Sequence, residues 1–129
     1  MTRTGVEIRD VAISDNVRIT RTYTGLPTGT IIEKAWMTVK LRASAPDTDK
    51  LFQKQIATSG SADGQITDAD TTGGSIAMYF EILEADTAAA KVGIPYRYDI
   101  KVKRIGESRS HTLEKGLIFF IRGVTAASS

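Results

Sequence analysis

The sequence contains no cysteine and a single histidine, and aromatic side chains make up only 7% of its 129 residues. The absence of cysteine excludes disulfide bridges, thiolate metal sites and cysteine nucleophiles. Because aromatic residues are few, the core must consist largely of Ile, Leu and Val, which favour strands. The longest apolar run, residues 117–121, has the length of a strand and is far shorter than a membrane span.

Neither sign of charge is in large excess, since 17 Lys and Arg are balanced by 15 Asp and Glu, a formal net charge of +2. The one local basic cluster, Lys101, Lys103 and Arg104, falls on a predicted strand and is expected to be a solvated face rather than a phosphate-binding track. We therefore expect no nucleic-acid partner. The N-terminal residues lack the apolar stretch of a secretory signal, so neither a signal peptide nor membrane attachment is expected.

Alternating apolar and polar residues predict about seven to eight short strands. The clearest alternation places four large side chains on one face, namely Tyr96, Tyr98, Ile100 and Val102. A segment at 84–91 has helical propensity but room for at most one short helical turn. The pattern predicts an all-β fold, a single antiparallel β-sandwich domain over residues 1–129, with short flexible arms at 1–5 and 126–129.

Three segments carry more specific predictions about the sandwich. In 30–42, one parity predicts a core face, and Trp36 falls on the more polar opposite side; the predicted core residues are Ile31, Ala35, Met37, Val39 and Leu41. Loss of alternation near Asp10 predicts a β-bulge. The Gly-, Ser-, Thr- and Asp-rich stretch 58–75 is predicted to be a long loop, or alternatively a hairpin held by Ile66.

No pattern of catalytic or metal-ligating residues is found. His111 begins a predicted strand and is expected to be a surface or capping residue, because a zinc site would need further His or Cys ligands. The sequence also has no Gly-x-Ser-x-Gly elbow for a serine nucleophile. The carboxylates of Asp68–Gly73 and of Asp47–Asp49 suggest calcium, but both lack the remaining EF-hand ligands, so solvated turns are expected. We predict no catalytic, cofactor-binding or metal-binding residue and no cofactor.

Several short motifs together resemble one known family. They are Met37–Lys40, Asp49–Lys54, Glu84–Thr87, Gly93–Ile100 and Thr112–Gly116, the last of which leads to Val124-Thr125. In their order and spacing they resemble the immunoglobulin-like N-terminal domain of the phage baseplate upper protein family, which occurs in tail and baseplate components of tailed bacteriophages. The resemblance implies an immunoglobulin-like sandwich. Tyr96 and Tyr98 would fill its interior, and Gly116 would let the last strand either bend or approach a neighbour closely.

The resemblance also implies a function. The expected protein is a non-enzymatic structural component of the virion, assembled in the host cytoplasm as symmetric copies in the tail, baseplate or neck. Its partners would be other virion proteins and copies of itself. The alternatives are a capsid decoration (cement) protein and a carbohydrate- or receptor-binding module that uses Trp36, since exposed aromatic rings stack on sugars or anchor protein contacts. A small hydrolase would require a carboxylate pair in a cleft.

Overall fold

The computed structural model describes residues 3–13, 15–27, 29–41, 50–70, 72 and 74–122. These residues form eight strands, which are β1 (Arg3–Ala12), β2 (Val17–Thr24), β3 (Ile32–Lys40), β4 (Lys50–Ile56), β5 (Gly64–Asp68), β6 (Ser75–Ile82), β7 (Tyr96–Arg104) and β8 (Ser110–Ile121). A 3-10 helix, Glu84–Thr87, links β6 to β7 and confirms the short helical turn predicted at 84–91. In these described parts of the chain, no helix is long and apolar enough to cross a bilayer.

The strands form two facing sheets, one with the order β1-β8-β7-β3-β4 and the other with the order β2-β6-β5. This arrangement is an immunoglobulin-like β-sandwich, so the predicted fold class is confirmed. One pair departs from the predicted antiparallel pattern, because β1 pairs with β8 in parallel. The reason is topological: β1 lies in the opposite sheet from β2, which places it beside the last strand, and that strand runs in the same direction.

Apolar side chains from both sheets meet in a single core. On β3 the predicted core residues Ala35, Met37 and Val39 are each fully buried, as predicted. The prediction is wrong for the two other members of that set, since Ile31 is 44% exposed and Leu41 is 50% exposed. A register shift between Ile32 and Lys34 explains the first error: it changes which parity faces inward, so that Ile32 is buried instead. Leu41 lies one residue beyond the end of the strand.

The described part of 58–75 contains one strand of a hairpin and is not one long loop. Strand β5 lies within it and pairs antiparallel with β6. Ile66 is 2% exposed and anchors the strand in the core, so the alternative prediction is confirmed. Only glycine fits at Gly64, because its φ is 132° and a Cβ there would overlap the carbonyl oxygen of Tyr79.

The first strand is an edge strand with two irregularities. Asp10 has a φ of 64°, and the register against β8 shifts between Ile8 and Val11, which confirms the predicted bulge. Bulges of this kind protect an exposed edge from pairing with other chains. The predicted N-terminal arm at 1–5 is corrected in part, because residues 3–5 belong to β1. Residues 1–2 and the predicted arm at 126–129 lie outside the described residues.

Hydrogen bonds fix the connection between β6 and β7. The Asp86 carboxylate accepts a 2.7 Å hydrogen bond from the backbone N–H of Leu83. The Tyr96 hydroxyl accepts a 3.0 Å hydrogen bond from the backbone N–H of Lys91, which is the geometry of a tyrosine corner. The buried ammonium of Lys54 forms ion pairs with Asp86 and with Asp63, and so ties β4 to this connection.

The close approach predicted at Gly116 is confirmed and leads to a test. A Cβ at this position would overlap the carbonyl oxygen of Val6 in β1 and press on the ring of Tyr98. We expect Gly116→Ala to lower the free energy of unfolding by about 1–3 kcal/mol, the usual effect of overpacking. Urea unfolding followed by tryptophan fluorescence measures the change. Gly60→Ala is the matched control, since a Cβ there makes only an ordinary contact with Gln65. Equal stability of the two variants would contradict the explanation.

Candidate functional site

A buried cluster of ionisable side chains lies between the sheets around Glu114, which is itself fully buried. Its carboxylate accepts hydrogen bonds from Nε of Arg21 at 2.9 and 3.1 Å and from the Tyr23 hydroxyl at 2.9 Å. It also accepts a hydrogen bond from the Tyr98 hydroxyl. Arg21 and Tyr23 belong to β2, whereas Tyr98 and Glu114 belong to β7 and β8. The network therefore joins the two sheets.

The network keeps its charged and neutral groups in fixed states. Burial raises the pKa of the Tyr98 phenol well above its usual range, and the hydrogen bond to Glu114 raises it further. Burial alone would lower the pKa of Arg21, but the hydrogen bond and charge of Glu114 outweigh this and raise it. Both side chains therefore stay protonated as donors to the carboxylate.

Reasoning from the sequence missed the role of Glu114. A register shift between β7 and β8 places two consecutive residues, Leu113 and Glu114, on the inner face. In antibody domains the residue two positions after the corner tyrosine is a disulfide-bonded cysteine. Here that residue is Tyr98, and the inter-sheet connection is a hydrogen-bonded ion pair. The local sequence Leu113-Glu114-Lys115-Gly116 gives no signal of an inward carboxylate, because its inward direction depends on the bulge.

The outer face of the five-stranded sheet carries the exposed candidate site. Strand register places Lys40 opposite Arg97, Trp36 opposite Lys101, and Asp99 opposite Lys115. Residues from three separate strands, β3, β7 and β8, are thereby brought together. We call this surface the basic face and define it by Trp36, Lys40, Arg97, Lys101 and Lys115.

Two shallow depressions lie side by side on the basic face, with volumes of about 190 and 280 Å³. Thr38 and Asp99 line both depressions and form the divide between them. The first depression is bordered by the cations Lys40, Arg97 and Lys115. The second is bordered by one aromatic ring and two further cations, Trp36, Lys101 and Lys103. The surface is open and largely cationic, which suits an anionic partner.

Most of these cations are not neutralised within the domain. Among the residues that the structure describes, Arg97, Lys101 and Lys115 form no ion pair, whereas Lys103 is paired with Glu33. Like charges directly opposite on neighbouring strands, as at Lys40 and Arg97, destabilise a sheet. The basic face therefore keeps a positive potential that favours the approach of a negatively charged group.

The outer face of the three-stranded sheet differs from the basic face. Its exposed Arg18 is paired with Glu81 on the neighbouring strand at 2.5 Å. The same guanidinium lies 4.0 Å from the centre of the Tyr79 ring. This cation is therefore satisfied within the sheet, and the positive potential belongs to one side of the sandwich.

The structure also places the residues singled out from the sequence. His111 is partly exposed, and its Nε2 lies 2.8 Å from Glu107, as expected of a surface histidine. Trp36 is partly buried on the outer face, and its indole N–H donates to Gln55. In the basic cluster, Lys101 is exposed, whereas Lys103 and Arg104 pair with Glu33 and Glu107.

The two acidic stretches have different outcomes. Asp70 accepts hydrogen bonds from the backbone N–H and hydroxyl of Thr72, and Asp68 accepts one from the Asp70 backbone. These carboxylates close a turn, and within the described residues no group of three or more His, Cys, Asp or Glu side chains is placed to hold a metal ion. Asp47–Asp49 lie outside the described residues.

Comparisons with known proteins bear on the fold. No family model and no curated protein sequence matches this chain. Among solved structures, the chain is similar to the three-dimensional structure of the NK cell receptor Nkp44, a triggering partner in natural cytotoxicity. The match has a TM-score of 0.48 and 12% sequence identity, and it covers 94% of this chain and 99% of that chain. The immunoglobulin-like assignment rests on the strand order and pairing.

The buried network yields a prediction about stability. Glu114→Ala would leave Arg21 half-buried without its counter-charge, and we expect the free energy of unfolding to fall by about 3–5 kcal/mol. The double variant Arg21→Leu/Glu114→Ala should regain part of this loss, because no unpaired charge remains. Urea unfolding of both variants measures the coupling.

Glu81→Ala is the matched control, because it breaks an exposed cross-strand ion pair with Arg18 rather than a buried one. We expect a much smaller loss of stability for the control. If Glu114→Ala and Glu81→Ala were equally stable, the inter-sheet network would not hold the sandwich together.

Proposed function

We propose that this protein is a non-enzymatic structural component of a tailed-bacteriophage virion, which acts by adhering to neighbouring subunits. The observation that carries the proposal is that the buried and the exposed ionisable groups have different roles. The ionisable groups around Glu114 lie between the sheets, are hydrogen-bonded to one another and serve the fold. The exposed groups form an open, shallow basic face.

The absence of enzymatic activity is part of the proposal. Chemistry on a substrate requires a general acid, base or nucleophile within hydrogen-bond reach of the reacting atoms. Glu114 is fully buried and its oxygens are occupied by Arg21, Tyr23 and Tyr98, so a substrate has no route to it. A shallow charged surface is the form expected of a docking site for a macromolecule.

The position in the virion follows from the resemblance to the baseplate upper protein domain. We propose symmetric copies in the tail, baseplate or neck, in contact with other virion proteins and with each other, after assembly in the host cytoplasm. An immunoglobulin-like sandwich suits this role, because its sheet faces present rigid surfaces with little loss of conformational entropy on docking. A capsid decoration protein has the same physical requirements, and the two differ only in location.

A carbohydrate-binding module is the second candidate, and Trp36 favours it. The ring lies at the second depression beside Gln53 and Ser110, a mixture of aromatic, amide and hydroxyl groups that suits sugars. Binding of the wild-type protein to a glycan array, lost in a folded Trp36→Ala variant, would support this candidate. Because Trp36 lies on the outer face, we expect the variant to keep its fold, so that a loss of binding to the array would report on the ring itself.

The test of the proposed function is incorporation into particles. We expect the protein in purified virions at a fixed copy number, measured by quantitative mass spectrometry, with gold-labelled antibodies locating it on the tail, baseplate or neck. Arg97→Glu/Lys115→Glu, which reverses charge on the basic face, should lower the copy number about tenfold, because opposed charges across interfaces are strongly coupled.

The matched control is Lys91→Glu/Arg122→Glu, which makes the same change in net charge at exposed positions outside the basic face. We expect the control to be incorporated as well as the wild type. Label on the capsid would select the decoration protein instead. Absence of the protein from purified particles would refute the proposed function.

A further inference from the structure

One segment of this chain carries acidic residues without any basic ones. Residues 55–90 contain six acidic side chains and neither Lys nor Arg, the six being Asp63, Asp68, Asp70, Glu81, Glu84 and Asp86. This segment supplies β5, β6 and the 3-10 helix, whereas the basic face is built from β3, β7 and β8. A chain with a net charge of only +2 therefore presents surfaces of opposite sign.

One acidic site on this segment is exposed and available. Asp63 and Asp86 are paired with the buried Lys54, but Asp68 and Asp70 are exposed and form no ion pair with the described residues. Hydrogen bonds from the Thr72 side chain and backbone lower the pKa of Asp70, which keeps it charged.

An exposed apolar side chain accompanies these two carboxylates. Ile31 is 44% exposed and forms an isolated β-bridge with Asp70. We call the group Ile31, Asp68 and Asp70 the acidic corner. It combines the two features that a docking knob for the basic face requires, negative charge and an exposed apolar group.

We infer that the acidic corner of one copy docks on the basic face of a second copy of this chain. The inference rests on the proposed function, since it names the contact by which the symmetric copies assemble. Charge complementarity supplies orientation and rapid association. Ile31 supplies exposed apolar area to the contact, which the charged side chains alone would lack.

The contact cannot form within one copy. The acidic corner, which includes Ile31, lies where β3 begins, whereas Lys40 and Arg97 lie where β3 ends. The nine residues of β3 separate these two ends by about 30 Å. Because the acidic corner and the basic face are different surfaces, each copy can bind one neighbour through its acidic corner and a second neighbour through its basic face. Such a heterologous contact builds a closed ring or a line of subunits.

A second copy explains the basic face better than a nucleic acid or a polyanionic glycan does. Asp99 lies between the two depressions, among the cations. A strand with evenly spaced phosphates that crossed the face would be forced past this carboxylate. The acidic corner carries only two carboxylates beside an apolar side chain, so it can engage Arg97 and Lys115 without lying over Asp99.

Two complementary variants test the inference by analytical ultracentrifugation of the full chain. The face variant is Arg97→Gln/Lys115→Gln. The corner variant is Asp68→Asn/Asp70→Asn, in which asparagine keeps the acceptors of the turn. The wild type should self-associate, and less at high salt, because exposed charges are screened. Each variant alone should associate at least about tenfold more weakly.

Mixing the two variants gives the decisive result. The face variant keeps an intact acidic corner, and the corner variant keeps an intact basic face. The mixture should therefore form a 1:1 heterodimer, which cannot grow further because its two remaining surfaces are the mutated ones. Lys91→Gln/Arg122→Gln, the control outside the basic face, should associate like the wild type. Far-ultraviolet circular dichroism and thermal melting verify that every variant is folded. Mixing also tests the contact through proteins that are each folded on their own.

Three results would overturn the inference. One is a wild-type protein that remains monomeric at every concentration. Another is undiminished association of either variant alone, which would indicate a different or isologous interface. The third is a monomeric wild type whose face binds single-stranded polyuridylate or polygalacturonate, with loss in the face variant. If the protein is monomeric but present in purified virions, the inference fails and the proposed function stands. If the protein self-associates but is absent from virions, the proposed function fails and the inference about the contact stands.

Discussion

The rest of the sandwich depends on the burial of one carboxylate. A fully buried Glu114 is tolerated only because donors from both sheets converge on it. Arg21 and Tyr23 approach from one sheet and Tyr98 from the other, so the relative position of the sheets is specified by hydrogen-bond geometry. In a chain without cysteine, this network occupies the place that a disulfide takes in antibody domains. Gly116 belongs to the same constraint, because its missing side chain leaves room for the Tyr98 ring and for β1.

The interior network and the basic face share the same strands. Along β7, Tyr98 points inward to Glu114, while its neighbours Arg97 and Asp99 point outward. A network that fixes the inner residues therefore also fixes the positions of the outer charges. Charges held in place before a partner arrives lose less entropy on binding than charges on loops. The buried Glu114 network, which is costly to desolvate, thereby also makes the basic face rigid.

Period-two alternation predicted the strands wherever its phase was maintained, as at Tyr96–Val102, and the core role of Met37 followed in the same way. It failed where one inserted residue changed the phase, since a shift of one position moves every later side chain to the other face. The exchange of Ile31 for Ile32 is such a case, and the paired burial of Leu113 and Glu114 is another. The basic face was beyond sequence reasoning for a different reason. Its cations are scattered along the chain and meet only through the register of three strands.

The near-equal numbers of acidic and basic residues, which argue against a polyanionic partner, do not imply that the charges are evenly distributed over the folded surface. A net charge of +2 is compatible with evenly mixed charges, which would give two copies no electrostatic attraction for each other. In this fold Lys101 and Lys115 lie on one face and Asp68 and Asp70 at a distant corner, so the same total leaves two attractive surfaces. Because the net charge is small, copies meet little overall repulsion. Segregated charge on a nearly neutral domain therefore favours ordered association with its own kind, which a strongly basic domain would oppose.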